Sequence, residues 1–313
     1  MKRILLIVLS VLILAVVLLG STFTAAKLDL ALADPTWEEP RAEPPEGMRL
    51  AVLSTGEMLS KQGFSFRGGD FGTEYVSGMD VVLLEHPGGR FLLDTGFGRE
   101  VDAHAETMPF LMRNLANYRK NEPAADRLLE AGYSLDQIDG ILLSHSHWDH
   151  VSGIPDFPGV PVWVNRDERD FIAGDAEMTA LVRSFPGVDY HVYDFDGGPY
   201  LGFAKSHDLF GDGSVVVAEA GGHTPGSVVT FVTLPSGRRY AFVGDLVWAH
   251  EAIEIPAERP WLARRMVDHD PAVVRRDVVH LHKIHRKIPD MVFVPAHDRR
   301  VFETMAAFPD FES

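Results

Sequence analysis

The alternation of hydrophobic and polar positions changes character twice along this chain. From Ile4 to Leu19 every residue but Ser10 is apolar. Such a run has no polar face, so it does not read as a helix lying on a globular core. With Gly20 to Phe23 included it reaches about 20 residues and roughly 30 Å of helix, enough to cross a bilayer. Lys2 and Arg3 in front of it supply the positive region of a secretory signal. Cleavage after Ala26 or Ala33 would free the body; retention of residues 4–23 would tether it to the membrane. Both readings stand, and both place the body outside the cytoplasm, because Lys2 and Arg3 stay inside. From Asp34 to Gly47 the periodicity disappears, and Pro35, Pro40, Pro44 and Pro45 stand among glutamates. That composition reads as an extended linker. The expected organisation is a signal or anchor at 1–33, a linker at 34–47 and a catalytic body at 48–313, periplasmic or extracellular.

In the body, short β-branched runs recur at Arg49–Ser54, Asp80–Glu85, Phe91–Asp94, Ile141–Ser144, Val160–Asn165, Ser214–Ala218, Val228–Leu234, Tyr240–Val243 and Met291–Pro295. Gly, Pro and Asp punctuate them, as strands require. Pro87-Gly88-Gly89 and Pro235-Ser236-Gly237 read as hairpin loops. One helix is expected from near Asn121 to Gly132 with Pro123 in its first turn. Another begins at Asp270 as N-cap with Pro271 at its first position, and ends before Pro289. Paired strands followed by helices predict an α/β body of two mixed sheets covered by helices.

Composition narrows the chemistry. Among 313 residues there is no cysteine, which excludes thiolate metal sites, a cysteine nucleophile and a disulfide scaffold. The formal net charge of −16 disfavours nucleic acid as a partner. The 14 histidines are unevenly spread. The strand Ile141–Leu143 runs directly into Ser144-His145-Ser146-His147-Trp148-Asp149-His150. Neutral imidazole and carboxylate are the ligands that zinc and similar ions take when thiolate is absent. Alternate residues of an extended segment point the same way, so His145 and His147 can share one ion, and Asp149 and His150 can face another after the chain turns. Three more candidates each follow a β-rich run: His223 in Gly221-Gly222-His223-Thr224-Pro225-Gly226, Asp245 in Val243-Gly244-Asp245, and His297 in Pro295-Ala296-His297. His280, His282 and His285 lie on the last helix at spacings that do not share a face well, and read as ordinary helix residues.

This order of motifs, with Glu85-His86-Pro87-Gly88-Gly89-Arg90-Phe91-Leu92-Leu93-Asp94-Thr95-Gly96, resembles the metallo-β-lactamase superfamily over about Met48 to Arg300. Within it, Leu84–Gly96 and the placement of Asp245 are most similar to N-acyl homoserine lactonases. The resemblance implies a four-layer αβ/βα sandwich and two divalent metal ions, zinc in the first instance, with iron, manganese or cobalt also suited. It implies His145, His147 and His223 on one ion, Asp149, His150 and His297 on the other, and Asp245 bridging them together with a hydroxide. Asp94 would orient a ligand histidine from behind. The implied activity is opening of a lactone or related ester by that hydroxide, with Asp149 and Asp245 as catalytic carboxylates. Thioester (glyoxalase II-like), β-lactam and phosphotriester hydrolysis on the same site, or a non-catalytic membrane-tethered metal-binding role, are the alternatives. Lactonases of this type place a tyrosine three residues after the bridging aspartate; here Trp248 stands there. An indole donates a hydrogen bond but does not exchange a proton in the same way. Trp248 either walls an apolar substrate pocket or packs. The segment Gly98–Lys120, with Met108, Phe110, Leu111, Met112 and Tyr118, is the candidate specificity element: its apolar residues either cover an acyl chain or form local core.

Overall fold

A computed structural model describes residues 2–115 and 117–313. Met1, Ala116 and the side chains of Lys2, Leu111 and Leu115 lie outside the described part, so the expectation for Leu111 is not addressed by it. The strands are β1 (Arg49–Lys61), β2 (Glu74–His86), β3 (Gly89–Leu93), β4 (Tyr118–Lys120), β5 (Gly140–Leu142), β6 (Val162–Asn165), β7 (Tyr190–Tyr193), β8 (Ser206–Asp208), β9 (Val215–Glu219), β10 (Val228–Thr233), β11 (Arg239–Gly244) and β12 (Met291–Pro295). They form one seven-stranded sheet in the order β4-β1-β2-β3-β5-β6-β7 and one five-stranded sheet in the order β12-β11-β10-β9-β8. Both are mixed. β3, β5, β6 and β7 run parallel, β11 and β12 run parallel, and the other neighbours are antiparallel.

The two-residue period of a strand sorts its side chains into layers. Leu50, Val52, Val82, Leu84, Leu93 and Leu142 of the first sheet meet Val215, Val217, Val228, Val232, Phe242 and Val294 of the second. Their neighbours Ala51, Leu53, Val81, Leu83, Leu92 and Ile141 face the other way and pack with Ala124, Ala125 and Leu128 of the helix Ala124–Glu130. On the far side, Ala218, Val229, Phe231, Ala241, Val243 and Phe293 pack with Val274, Val278, Leu281 and Ile284 of the helix Pro271–Lys287. Strands covered on both faces read as nearly continuous apolar runs. The result is helix, sheet, sheet, helix, the architecture expected from the sequence. The long helix starts where its cap signal lies: the Asp270 carboxylate accepts from the N–H groups of Ala272 and Val273.

Three elements differ from expectation in ways that matter. β1 continues past Ser54 to Lys61, through an irregularity in its pairing with β2 between Ser54 and Glu57. A helix, Arg166–Ala173, follows β6. Residues 34–47 contain no helix or strand, yet they lie along the body. The N–H of Glu43 bonds the carbonyl of Asp212, and Trp37 packs beside the second-sheet core under the Lys287 ammonium, 4.1 Å from the ring centre.

Candidate metal centre

The chain directions bring the candidate residues to one end of the sandwich. Asp94 follows β3, His145 follows β5, His223 follows β9, Asp245 follows β11 and His297 follows β12. His145 follows the end of β5, and His147, on extended backbone, precedes the four-residue helix Trp148–Val151. That turn aims Asp149 and His150 elsewhere. All seven side chains predicted as ligands come together, and none of these residues is more than 8% exposed.

They form overlapping groups, His145 lying both with His147 and His223 and with His150 and Asp245. His147 Nδ1 stands 3.1 Å from His145 Nε2 and 2.9 Å from His223 Nε2. Asp149, His150 and His297 form the other cluster, with His297 Nε2 3.4 Å from Asp149 Oδ2. Asp245 lies between. Its Oδ1 is 3.2 Å from His297 Nε2 and 3.5 Å from His150 Nε2, while its Oδ2 is 3.5 Å from His223 Nε2. Trp248, placed by the indole N–H, donates to Asp245 Oδ2 at 2.8 Å. Gly244, at φ +51, makes the bend before Asp245 where an added Cβ would press on Ser144.

The electrostatics separate the two groups. Burial, reinforced by the neighbouring histidines, holds His145 and His147 well below the usual histidine range, which favours the neutral form that could hold a cation. Burial acts the same way on His150, but Asp94, Asp149 and Asp245 outweigh it and raise His150 well above that range. His297 is also raised, burial being overcome by Asp245 and Asp149. Burial disfavours the charge of Asp245, yet His297 and His150 hold its carboxyl well below the usual range.

A cation fits this donor set. His150 Nε2 and Asp245 Oδ1 are buried and neither makes a hydrogen bond. Leaving such atoms unpaired is costly, and an ion between them resolves it. Neutral imidazole and carboxylate donors suit divalent zinc and its neighbours.

The supporting residues are partly those expected. Asp94, in the left-handed region at φ +57, accepts from His150 Nδ1 at 2.8 Å, and from the Ser144 N–H and hydroxyl at 2.7 Å each. Asparagine and aspartate tolerate that backbone better than other side chains. Others were not read from the sequence. Asp268 accepts from His223 Nδ1 at 3.0 Å and is gripped by Arg259 at 2.5 Å. The same Arg259 donates to the carbonyls of Asp245 and Leu246. Glu168, 1% exposed, accepts from the Ser146 N–H and hydroxyl, the Thr224 hydroxyl and the Gly226 N–H, at 2.5–3.1 Å. One buried carboxylate therefore ties the His145–His147 segment to the His223 loop. Burial raises its pKa, against those donors.

The three pocket candidates, Met108, Phe110 and Trp248, lie in different surroundings. Met108 is 6% exposed and belongs to the hydrophobic core behind the first sheet. Phe110 is 72% exposed on a surface helix. Trp248 is spent on Asp245. None of the three lines the small cavity beside the cluster, which is walled by Met79, Asp80, Asp94, Gly96, Asp149, His150, Ala296 and His297. Of the helix histidines, His280 Nε2 donates to the Leu201 carbonyl and His282 Nδ1 to that of Ile253, each at 2.8 Å. They do not gather with His285, which instead neighbours His250 and Glu254.

Comparison with known proteins follows the same outline. The family model of the metallo-beta-lactamase superfamily matches residues 77–285. A probable metallo-hydrolase of Mycobacterium tuberculosis is 27% identical over 236 residues, covering 71% of this chain and 75% of that one. The N-acyl homoserine lactonase AttM of Rhizobium radiobacter is 24% identical over 225 residues, covering 69% and 82%. Among solved structures, a B. thuringiensis AiiA variant with N-decanoyl-L-homoserine bound at the active site superposes with a TM-score of 0.66 at 19% identity, covering 84% of this chain and 98% of that one. AidC, a dizinc quorum-quenching lactonase, gives 0.53 at 16% identity, covering 88% and 92%. These structures share the fold.

Proposed function

This chain belongs to the metallo-beta-lactamase superfamily and is a metal-dependent hydrolase; from that premise we propose that it is an exported, dinuclear enzyme that opens a lactone of the N-acyl homoserine type or a related ester. The observation that carries the reading is the split of the Asp245 carboxylate, with one oxygen toward His150 and His297 and the other toward His223. His145, His147 and His223 would hold one divalent ion and Asp149, His150 and His297 the other, with Asp245 shared. Zinc is the first candidate, and iron, manganese and cobalt suit the same donors. Two such ions, when bound, supply a water activated near neutral pH and positive charge for a carbonyl oxygen.

The chain's own residues then have definite work. Asp94 and Asp268 keep the outer ring nitrogens of His150 and His223 occupied as donors, which leaves the inner nitrogens as lone pairs. Trp248 fixes the rotation of Asp245. Its indole does not replace the tyrosine of lactonases as a proton exchanger. Asp149 takes the proton of the attacking water and returns it to the alkoxide as the ring opens, so that the products are a carboxylate, a hydroxyl and one released proton. The named activity of AttM supports the lactone class, and the apolar span Arg3–Ser21, with an 18-residue stretch of mean hydropathy 3.2, supports export with membrane attachment.

The test is proton release by the full chain, loaded with zinc or manganese and offered a long-chain N-acyl homoserine lactone. Metal-dependent release that a chelator abolishes is the expected result. No release from protein carrying two ions, with turnover of a thioester, a β-lactam or a phosphotriester instead, overturns the lactone assignment.

A further inference from the structure

The β1–β2 hairpin is far longer than the sheet behind it needs. Val52 pairs with Val82, and Val82 with Leu93 at the end of β3. From Val52 the strand runs nine further residues to Lys61, an overhang of about 30 Å at strand rise before twist and bulge shorten it. β1 runs in the same direction as β3 and β5, so the overhang rises from the end of the sandwich that carries the metal centre. It is fastened to the ligand loops there. Gly78 accepts from His297 Nδ1 at 3.1 Å, Ser77 bridges Asp298, and the Tyr75 hydroxyl donates to the Trp248 carbonyl at 2.5 Å.

The tip of this hairpin receives the end of the apolar N-terminal helix. Arg67 donates to the carbonyls of Ser21 and Thr24, and the Gly68 N–H donates to that of Phe23 at 3.0 Å. Gly68 has φ +100, and a Cβ there would stand 2.9 Å from Ala25 Cβ, so the contact needs glycine on two counts. Just beyond, Leu28 N–H bonds the Pro256 carbonyl at 2.8 Å. Within the helix Lys2–Ser21, Arg3–Ser21 is apolar, unburied and long enough to span a membrane. No slack chain separates its end from the body. At that junction Phe23, Phe64 and Phe71 meet edge to face, at 5.1–5.9 Å between ring centres. Phe64 and Phe71 are nevertheless 45% exposed, as is Trp261. Its helix, Trp261–Val267, is linked to the tip because Arg67 and Arg264 share Glu258. Exposed aromatic residues where a spanning helix leaves the hydrocarbon are the composition of a membrane–water interface.

We propose that the hairpin tip, through Phe64 and Phe71, sits in the headgroup boundary of the bilayer that Lys2–Ser21 crosses, so that the metal-centre end of the body faces the lipid. This rests on the reading that the N-terminal helix is retained as an anchor. The occupant is the bilayer because the aromatic patch is continuous with the segment that enters it. A substrate with an acyl chain in the outer leaflet then approaches the ions from the membrane side.

The absence of cysteine makes the test direct. Full-length chain carrying Phe64→Cys, Phe71→Cys or Ser236→Cys, each labelled with an environment-sensitive fluorophore, is reconstituted in phosphatidylcholine–phosphatidylglycerol vesicles with and without a shallow lipid-borne quencher. Ser236 is exposed in the β10–β11 turn, at the opposite end of the sandwich. The proposal expects labels at 64 and 71 to shift blue and lose most of their emission to the quencher, and the label at 236 to keep it. Emission at 64 and 71 as unquenched as at 236, in chain that still floats with the vesicles, overturns the proposal while the anchor stands. Shielding from aqueous iodide without lipid quenching overturns it in favour of a second copy on the patch. Chain that does not float removes the anchor and the proposal together.

Discussion

The two groups of side chains that flank Asp245 in the candidate metal centre are built on opposite electrostatic plans. The half formed by His145, His147 and His223 is all imidazole, with burial depressing the first two. The half formed by Asp149, His150 and His297 is bathed in carboxylate, and its two histidines are raised. Their supports differ too. The first half is braced at a distance, by Glu168 across two loops and by Asp268 held on Arg259. The second is braced at short range, by Asp94 from the neighbouring strand end and by the Gly78 carbonyl. The contrast is one of charge and of reach: the neutral group is held by side chains from distant segments, the carboxylate-flanked group by its near neighbours.

Asp245→Ala removes what the halves share and has the largest expected effect. Hydrolysis falls by roughly 10³-fold, the upper range for losing one electrostatic group at an active site, and far-ultraviolet circular dichroism stays that of the folded chain. Activity near the wild-type level in that variant would refute the shared-carboxylate assignment. Next come substitutions that strike one half. Glu168→Ala leaves the Ser146 and Gly226 N–H groups and the Ser146 and Thr224 hydroxyls buried without this acceptor. Hydroxyls can turn to other partners, so the two N–H groups set the loss: at about 1–3 kcal/mol per unmet group, stability drops by about 2–6 kcal/mol, and thermal melts read it as about 5–15 °C. Asp94→Asn and Asp268→Asn each weaken metal binding by about 10–100-fold. They do so at different ions, which competition titration with a chromogenic chelator resolves as loss of one class of site with the other spared. Equal weakening of both classes by both variants would dissolve the comparison.

The smallest effect on turnover lies outside both halves. Burial lowers His280 to about 4, and its Nε2 donates to the Leu201 carbonyl. A depressed histidine favours the neutral form, so its contribution is complete above about pH 6.5 and is lost as pH falls toward about 4. The change is at most about 3 kcal/mol. Denaturation by urea should therefore show wild type losing more stability between pH 7.5 and pH 5 than His280→Gln, whose amide can still donate. Parallel losses in the two proteins would rule out His280 as the group responsible.

The seven clustered side chains were legible because ligand chemistry restricts residue type, and because each stands where an apolar β-rich run stops. The four layers were legible for a related reason: strands buried on both faces, as at Val81–Leu84, leave a continuous apolar run. The second tier was not. Glu168 bonds backbone N–H groups and hydroxyls far away in sequence, and a glutamate in an amphipathic helix looks like any solvated one. Asp268 sits two residues before the readable cap Asp270 and shares its composition. β4, β7 and β8 are three or four residues long and largely polar, so the sheet completes them and local propensity does not. The Thr55–Lys61 extension of β1 is polar and irregularly paired, and it reads as a strand already ended. Met108 was ambiguous for another reason: an apolar loop residue carries the same letter whether it lines a pocket or closes a core, and the structure puts it in the core.

If one carboxylate unites two ions, the number of ions bound per chain depends on it. Equilibrium dialysis against zinc, followed by metal analysis of wild type and Asp245→Ala, decides it. Two ions per wild-type chain are expected, falling to one or none in the variant. One ion in the wild type, or two retained without Asp245, would contradict it.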